Sequence, residues 1–177
     1  IIGKREDLMS YIEVEYPEDK KEFYKLLAEQ IRLYTGDEKD FYAVLANASS
    51  VMAQAYSEVN WVGFYLIDQS MKSEPIDRQQ LVVGPFQGRP AVSRITYGTG
   101  VCGTAWKENN AQVVDEVSCF AGHIACDCNT HSEIVIPMYN KNGEIIGVLD
   151  MDSVVPARFD EEDKEGLTEI VKLLVRD

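Results

Sequence analysis

Ser132-Glu-Ile-Val-Ile-Pro-Met-Tyr139 and Glu144-Ile-Ile-Gly-Val-Leu-Asp-Met-Asp152, joined through Asn140-Lys-Asn-Gly143, decide how this chain folds. Both runs alternate as strands do, and Lys141-Asn142-Gly143 contains Asn-Gly, the strongest short hairpin signal. They pair as an antiparallel hairpin. Side chains two apart on a strand share a face, so Asp150 and Asp152 point to one side of the sheet. Glu133 on the partner strand is placed to join them.

Outward from the hairpin, Asn60-Trp-Val-Gly-Phe-Tyr-Leu-Ile67 is rich in aromatic and β-branched residues and reads as the first strand. Gln80 to Phe86, Ala91 to Ile95 and Gln112 to Asp115 are further strands, and Thr104 to Asn109 makes one or two helical turns. Glu116 to His131 is a long loop holding three of the four cysteines, and loops of that length in a compact domain are uncommon and often functional.

At the chain's two ends the apolar period changes. From Glu18 to about Tyr34, Phe23, Leu26, Leu27, Ile31 and Tyr34 recur at three- and four-residue steps, which is an amphipathic helix closed by Gly36. Asp37-Glu-Lys-Asp40 opens a second helix through Phe41, Leu45, Ala48, Met52 and Tyr56. Phe159 to Val175 forms the last, with Asp160 as N-cap, Asp163 three residues on, and Leu167, Ile170, Val171 and Leu174 as its stripe. Terminal helices around mostly antiparallel strands give an α+β sandwich, a sheet covered on one face by helices. With no repeat, linker or low-complexity stretch, a single domain is expected over 1–177, with 1–16 as an extended or poorly ordered N-terminal segment.

A hydrophobic fraction of 45% over 177 residues suffices for an ordinary packed core. The net charge of -13 disfavours nucleic acid and anionic membrane surfaces, which attract clustered Lys and Arg. No stretch of about 18 apolar residues exists and the N-terminus lacks the pattern of a secretory signal, so a cytoplasmic protein is expected.

In that compartment four cysteines favour metal binding or redox catalysis over structural bridges. The pairs around Cys126-Asp-Cys128, with Cys119 and His123 nearby, lack the repeated two-to-four-residue gaps of zinc knuckles. Glycines on both sides of Cys102, in Gly98-Thr-Gly-Val-Cys102-Gly-Thr-Ala105, let the backbone turn tightly. His123 and dense polar neighbours around Cys126, in Gly122-His-Ile-Ala-Cys126-Asp-Cys128, favour the reactive thiolate. From residue type alone Trp61 and Tyr65 are core aromatics, Asp150 and Asp152 are equally well solvent-facing, Cys102 is a small buried thiol, and Cys119 and Cys128 are incidental.

The ordered set Asn60-Trp61-Val-Gly-Phe-Tyr65, Gly84-Pro-Phe-Gln-Gly88, Gly100-Val-Cys102-Gly, His123-Ile-Ala-Cys126-Asp127, Ser132-Glu133-Ile-Val and Asp150-Met-Asp152 resembles free methionine-(R)-sulfoxide reductase, a stand-alone GAF-domain enzyme family. The resemblance runs from about residue 44 to the C-terminus. It implies an oxidoreductase acting on free methionine-(R)-sulfoxide, with Cys126 as the nucleophile that attacks sulfur and is left as a sulfenic acid. A second thiol then forms a disulfide, thioredoxin reduces it, and no metal or organic cofactor is needed.

Glu133, Asp150 and Asp152 match the family positions that meet the substrate's ammonium group and sulfoxide oxygen, and Trp61 and Tyr65 match its aromatic wall. A homodimer through the helical face is also implied. One position departs: ten residues before Cys102, where family members commonly carry the resolving cysteine, this chain has Val92. Another cysteine or an external thiol must then resolve the sulfenic acid. Cys102, in a cassette of the active-site region, is the expected partner. The alternative from another class is a non-catalytic GAF module sensing a small ligand or redox state, which shares the fold.

Overall fold

Aspartates set the start of three helices: Asp160 is the cap expected from the sequence, Asp40 closes the segment expected to open the second helix, and Asp19 is a cap the sequence reading did not name. In the structure, a computed structural model describing residues 14–120, 122 and 129–175, Asp19 caps α1 (Lys20–Thr35), Asp40 caps α2 (Phe41–Ala55) and Asp160 caps α4 (Glu161–Leu174). Each accepts from a first-turn backbone N–H that has no partner within the helix. At α4 the exchange is reciprocal, because the Asp163 carboxylate accepts from the Asp160 N–H in return. Gly36 ends α1 at a positive φ of 46°, its N–H returning to the Arg32 carbonyl.

Among the described residues, six antiparallel strands form one sheet in the order β3-β2-β1-β6-β5-β4. They are β1 (Val59–Ile67), β2 (Gln80–Gly88), β3 (Arg94–Thr96), β4 (Gln112–Val114), β5 (Ser132–Tyr139) and β6 (Ile145–Ser153). The expected β5–β6 hairpin forms, with Asn140 N–H bonded to the Glu144 carbonyl across Lys141-Asn142-Gly143. Only Gly143 in this turn has positive φ, at 76°, and Asn140 Oδ1 accepts from the N–H groups of Asn142 and Glu144. The link is thus a three-residue loop with a left-handed glycine, the next commonest hairpin after the two-residue turn. Pro137 is tolerated because it lies past the end of the short β4, where β5 needs no donor on that side.

The two sheet faces carry separate cores. On one, α1, α2 and α4 pack Leu27, Ile31, Leu45, Met52, Leu167 and Ile170 over Phe64, Ile134, Ile136, Leu149 and Met151. On the other, Trp61, Tyr65, Val135 and Val148 meet α3 (Gly100–Glu108) through Val101, Cys102, Ala105 and Trp106. The terminal helices share a face, as expected.

The helix expected from Thr104 starts four residues earlier and lies on the opposite face. Gly98 and Gly100, at φ 76° and 62°, turn the chain into it, and Gly103 lies where a Cβ would stand 2.6 Å from the Thr96 carbonyl oxygen. The glycines before Cys102 make the turn, and the one after it permits close packing. Among the described residues no helix is long and apolar enough to cross a membrane.

A buried carboxylate and thiol cluster as candidate active site

The three central strands line up the chemistry in rows. Trp61 pairs with Asp152, which pairs with Glu133; one row along, Gly63 pairs with Asp150, which pairs with Val135. Trp61, Glu133, Asp150 and Asp152 share the sheet face that α3 covers. Strand periodicity thus gives the arrangement expected of these carboxylates. They are not solvent-facing: Glu133 is 5% exposed and Asp150 and Asp152 are each 4% exposed.

Cys102 comes to the cluster from the first turn of α3, which packs on β5 and β6. A thiol in a helix's first turn is ordinarily biased toward thiolate. Here the reverse holds. Burial, then the charges of Asp150 and Glu133, push the Cys102 thiol well up. One ligand-type atom from each of Cys102, Glu133 and Asp150 lies within 4.8 Å of the others. Burial, followed by the Asp152 charge, raises Glu133 well above the usual carboxylate range; burial, followed by the Glu133 charge, does the same to Asp150. Glu133 and Asp150 are hydrogen-bonded to each other. Desolvation disfavours every charged form in this cluster, so its acids hold their protons to higher pH than free carboxyl groups do.

An aromatic layer stands beside the acids. Trp61 stacks on Phe86 at 5.2 Å and 16°, and on Tyr65 at 5.8 Å and 24°. Trp61 Nε1–H donates to the Arg89 carbonyl and the Tyr65 hydroxyl to the Val92 carbonyl, which satisfies their polar ends against the β2–β3 connection. Gly63 makes the stack possible: a Cβ there would sit 2.8 Å from the Trp61 ring and 2.3 Å from Phe86 Cβ. Phe86 and Gly63 received no role from the sequence. Their signal is the pairing of Gly63 with Phe86 across β1 and β2, beside a bulge between Gly63 and Tyr65 that periodicity does not reveal.

Of the sequence-predicted site residues, the structure brings together Trp61, Tyr65, Cys102, Glu133, Asp150 and Asp152. Cys126, with His123 and Cys128, lies outside the described residues. The base of its loop is held from both sides. Val117 N–H reaches the His131 carbonyl, His131 N–H reaches the Ser153 carbonyl, and Asn60 Nδ2 donates to Thr130 Oγ1. The loop therefore leaves and re-enters the sheet at the Glu133 and Asp152 end of the rows. Cys119, in a single turn at Val117–Cys119, is exposed. A separate groove of about 740 Å³ between α1 and α4, lined by Lys20, Tyr24, Lys25, Glu162, Glu165 and Glu169, is on the opposite side of the sheet from the acids.

The GAF-domain family pattern matches residues 41–176. The chain is 44% identical over 156 residues to free methionine-R-sulfoxide reductase of Escherichia coli K12, covering 88% of each chain. It is 46% identical over 156 residues to protein YtsP of Bacillus subtilis 168, covering 88% of this chain and 91% of that one. The free methionine-R-sulfoxide reductase of Neisseria meningitidis, solved with its substrate, superposes with a TM-score of 0.81 at 41% identity over 92% of both chains.

Proposed function

Given that this chain belongs to the free methionine-R-sulfoxide reductase family of GAF domains, we propose that it reduces free L-methionine-(R)-sulfoxide to methionine in the site formed by Cys102, Glu133, Asp150 and Asp152. The observation that carries this reading is the buried, mutually hydrogen-bonded acid pair Glu133–Asp150 on the face that also holds Trp61. Sulfoxide reduction needs a proton delivered to the departing oxygen, and burial together lets these acids keep their protons to higher pH than free carboxyl groups do. The substrate's ammonium group is met by carboxylate, and its methyl end by the aromatic layer of Trp61 and Tyr65.

In this mechanism the Cys126 thiolate attacks sulfur. An S–S bond forms as the sulfoxide oxygen takes a proton from the acid pair; the hydroxyl then passes to the Cys126 sulfur, the substrate's S–O bond and the transient S–S bond break, and methionine leaves Cys126 as its sulfenic acid. Cys102 then attacks the Cys126 sulfur, its proton passing by way of neighbouring Asp150 to the departing hydroxyl, so that water leaves and a Cys102–Cys126 disulfide remains. Cys102 suits this second step. Its protonated, buried state keeps it from competing as first nucleophile, and Asp150 removes its proton when required. Val92, where relatives commonly carry the resolving thiol, packs instead as a partly buried apolar residue beside Tyr65.

Thioredoxin as the reductant, a homodimer through the helical face and a cytoplasmic location belong to the same proposal, with the family resemblance as their support. The test is consumption of free methionine-(R)-sulfoxide by reduced protein with dithiothreitol. Cys126→Ser is expected to abolish turnover with the fold intact, because serine is close in size and has no usable thiolate. Turnover on the acetylated substrate should be lost too, since buried carboxylates would then face an uncharged amide. Retained activity in the serine variant, or equal rates on both substrates, would reject the reading. No turnover by folded, reduced protein would favour a non-catalytic sensor.

A further inference from the structure

We propose that Cys102, Glu133 and Asp150 form an inhibitory site for one divalent cation of the zinc class, bound across α3 and the neighbouring strands β5 and β6. Three observations carry it. The thiol sulfur and one carboxylate oxygen from each acid already lie within 4.8 Å of one another. All three side chains are at least nine-tenths buried. Asp150 Oδ1 is buried and accepts no hydrogen bond, an orphaned acceptor on a carboxyl group that belongs to this cluster. An unsatisfied buried carboxylate oxygen is costly, and a cation is the partner that this surrounding best suits.

The ligand set selects the cation. One thiolate with two carboxylates suits a borderline-soft ion of low coordination number; magnesium and calcium require six or more oxygens or retained waters. Zinc–sulfur and zinc–oxygen bonds of about 2.3 and 2.1 Å place tetrahedral ligands about 3.4–3.6 Å apart, so the cluster has to contract only modestly around an ion. On binding, the thiol and both carboxyl groups release their protons, giving three negative charges against the ion's two, with water in the fourth position. The cation then occupies both the acid pair and the Cys102 thiol. A reductase so loaded can neither protonate the sulfoxide oxygen nor resolve Cys126. This inhibitory consequence rests on the proposed function; the binding itself does not.

The test uses Cd²⁺ as a probe of the reduced chain in which Cys119, Cys126 and Cys128 are serine, leaving Cys102 as the single thiol. One ion per chain should bind with a sulfur-to-cadmium charge-transfer band. Zn²⁺ should displace it and a large excess of Mg²⁺ should not. Asp150→Asn and Glu133→Gln, which keep the thiol, should each weaken binding at least tenfold. In the unaltered chain loaded with one equivalent of Zn²⁺, X-ray absorption should show one sulfur among oxygen neighbours. A shell of three or four sulfurs, or Cd²⁺ affinity unchanged in both amide variants, overturns the site. Zinc should also inhibit turnover competitively with the sulfoxide. A cadmium band in a protein without reductase activity would reject the proposed function and leave the cation site standing. Full activity undiminished by saturating Zn²⁺ would reject the inhibitory role.

Discussion

Asp150 shows how a single side chain trades stability for chemistry. Its carboxyl group ionises in the usual range when the chain is unfolded but is held protonated to higher pH when buried beside Glu133 and Cys102. The folded state therefore binds more protons than the unfolded one, so stability is lost as pH rises from the ordinary carboxylate range toward the raised folded value. Asp150→Asn removes this penalty. It should be more stable than the parent by about 1–2 kcal/mol at pH 8, or roughly 2–4 °C per kcal/mol in Tm, and show little of that gain at pH 4. Its kcat/KM should fall by roughly 2–5 kcal/mol of transition-state stabilisation. Thermal unfolding at both pH values with steady-state kinetics checks it, and a variant less stable at pH 8 would contradict the account. At this scale the sequence was informative where a period could be counted: the shared face of Asp150, Asp152 and Glu133 follows from strand alternation and one short hairpin, whereas their role came from the family resemblance. It was silent on Gly63 and Phe86, which meet only because β1 and β2 pair across a bulge, a long-range register that no local pattern encodes.

Among the elements, α3 is the part whose position decides whether the cluster exists, since it alone supplies the thiol. The sequence placed this helix late because glycines weigh against helix propensity, whereas here Gly103 is helical for its lack of a side chain. Gly103→Ala should push α3 off Thr96, costing about 1–3 kcal/mol of stability and lowering kcat/KM more than tenfold as Cys102 moves from Asp150. Thermal denaturation and kinetics measured together would check both effects; an alanine variant with parental activity would show that α3 has slack. On the other face, Asp163 fastens α4 to α1: it is 1% exposed, accepts from the Tyr24 hydroxyl at 2.8 Å and pairs with Lys20 at 2.6 Å. The Tyr56 hydroxyl extends the chain by donating to that of Tyr24 at 2.9 Å. Asp163→Ala deletes the capping box and leaves the tyrosine hydroxyls short of an acceptor, for an expected loss of roughly 3–5 kcal/mol. Because the acids lie across the sheet, kcat/KM below the melting transition should stay within about twofold of the parent. Denaturant titration and kinetics at low temperature separate the two effects.

The molecule as a whole is one sheet with unlike coverings: an apolar core under three helices, and a core that contains three buried carboxylic acids and a thiol under one helix and loops. The α+β layering and the common face of the terminal helices were legible because amphipathic stripes and cap aspartates are local signals. The content of the second layer was not, since it is assembled from β1, β2, α3, β5 and β6 at once. The division has an experimental signature. Both tryptophans of the chain, Trp61 and Trp106, belong to the acid-bearing layer, whereas three of the four α-helices among the described residues belong to the other. Intrinsic fluorescence thus senses one half of the protein and far-ultraviolet circular dichroism chiefly the other. If the acid-bearing half is the weaker, emission should shift to the red at a lower urea concentration than that at which ellipticity is lost, and Asp150→Asn should draw the two curves together. Superimposed curves in the parent protein would mean that the sheet melts as one body and that its two coverings share a single cooperative fate.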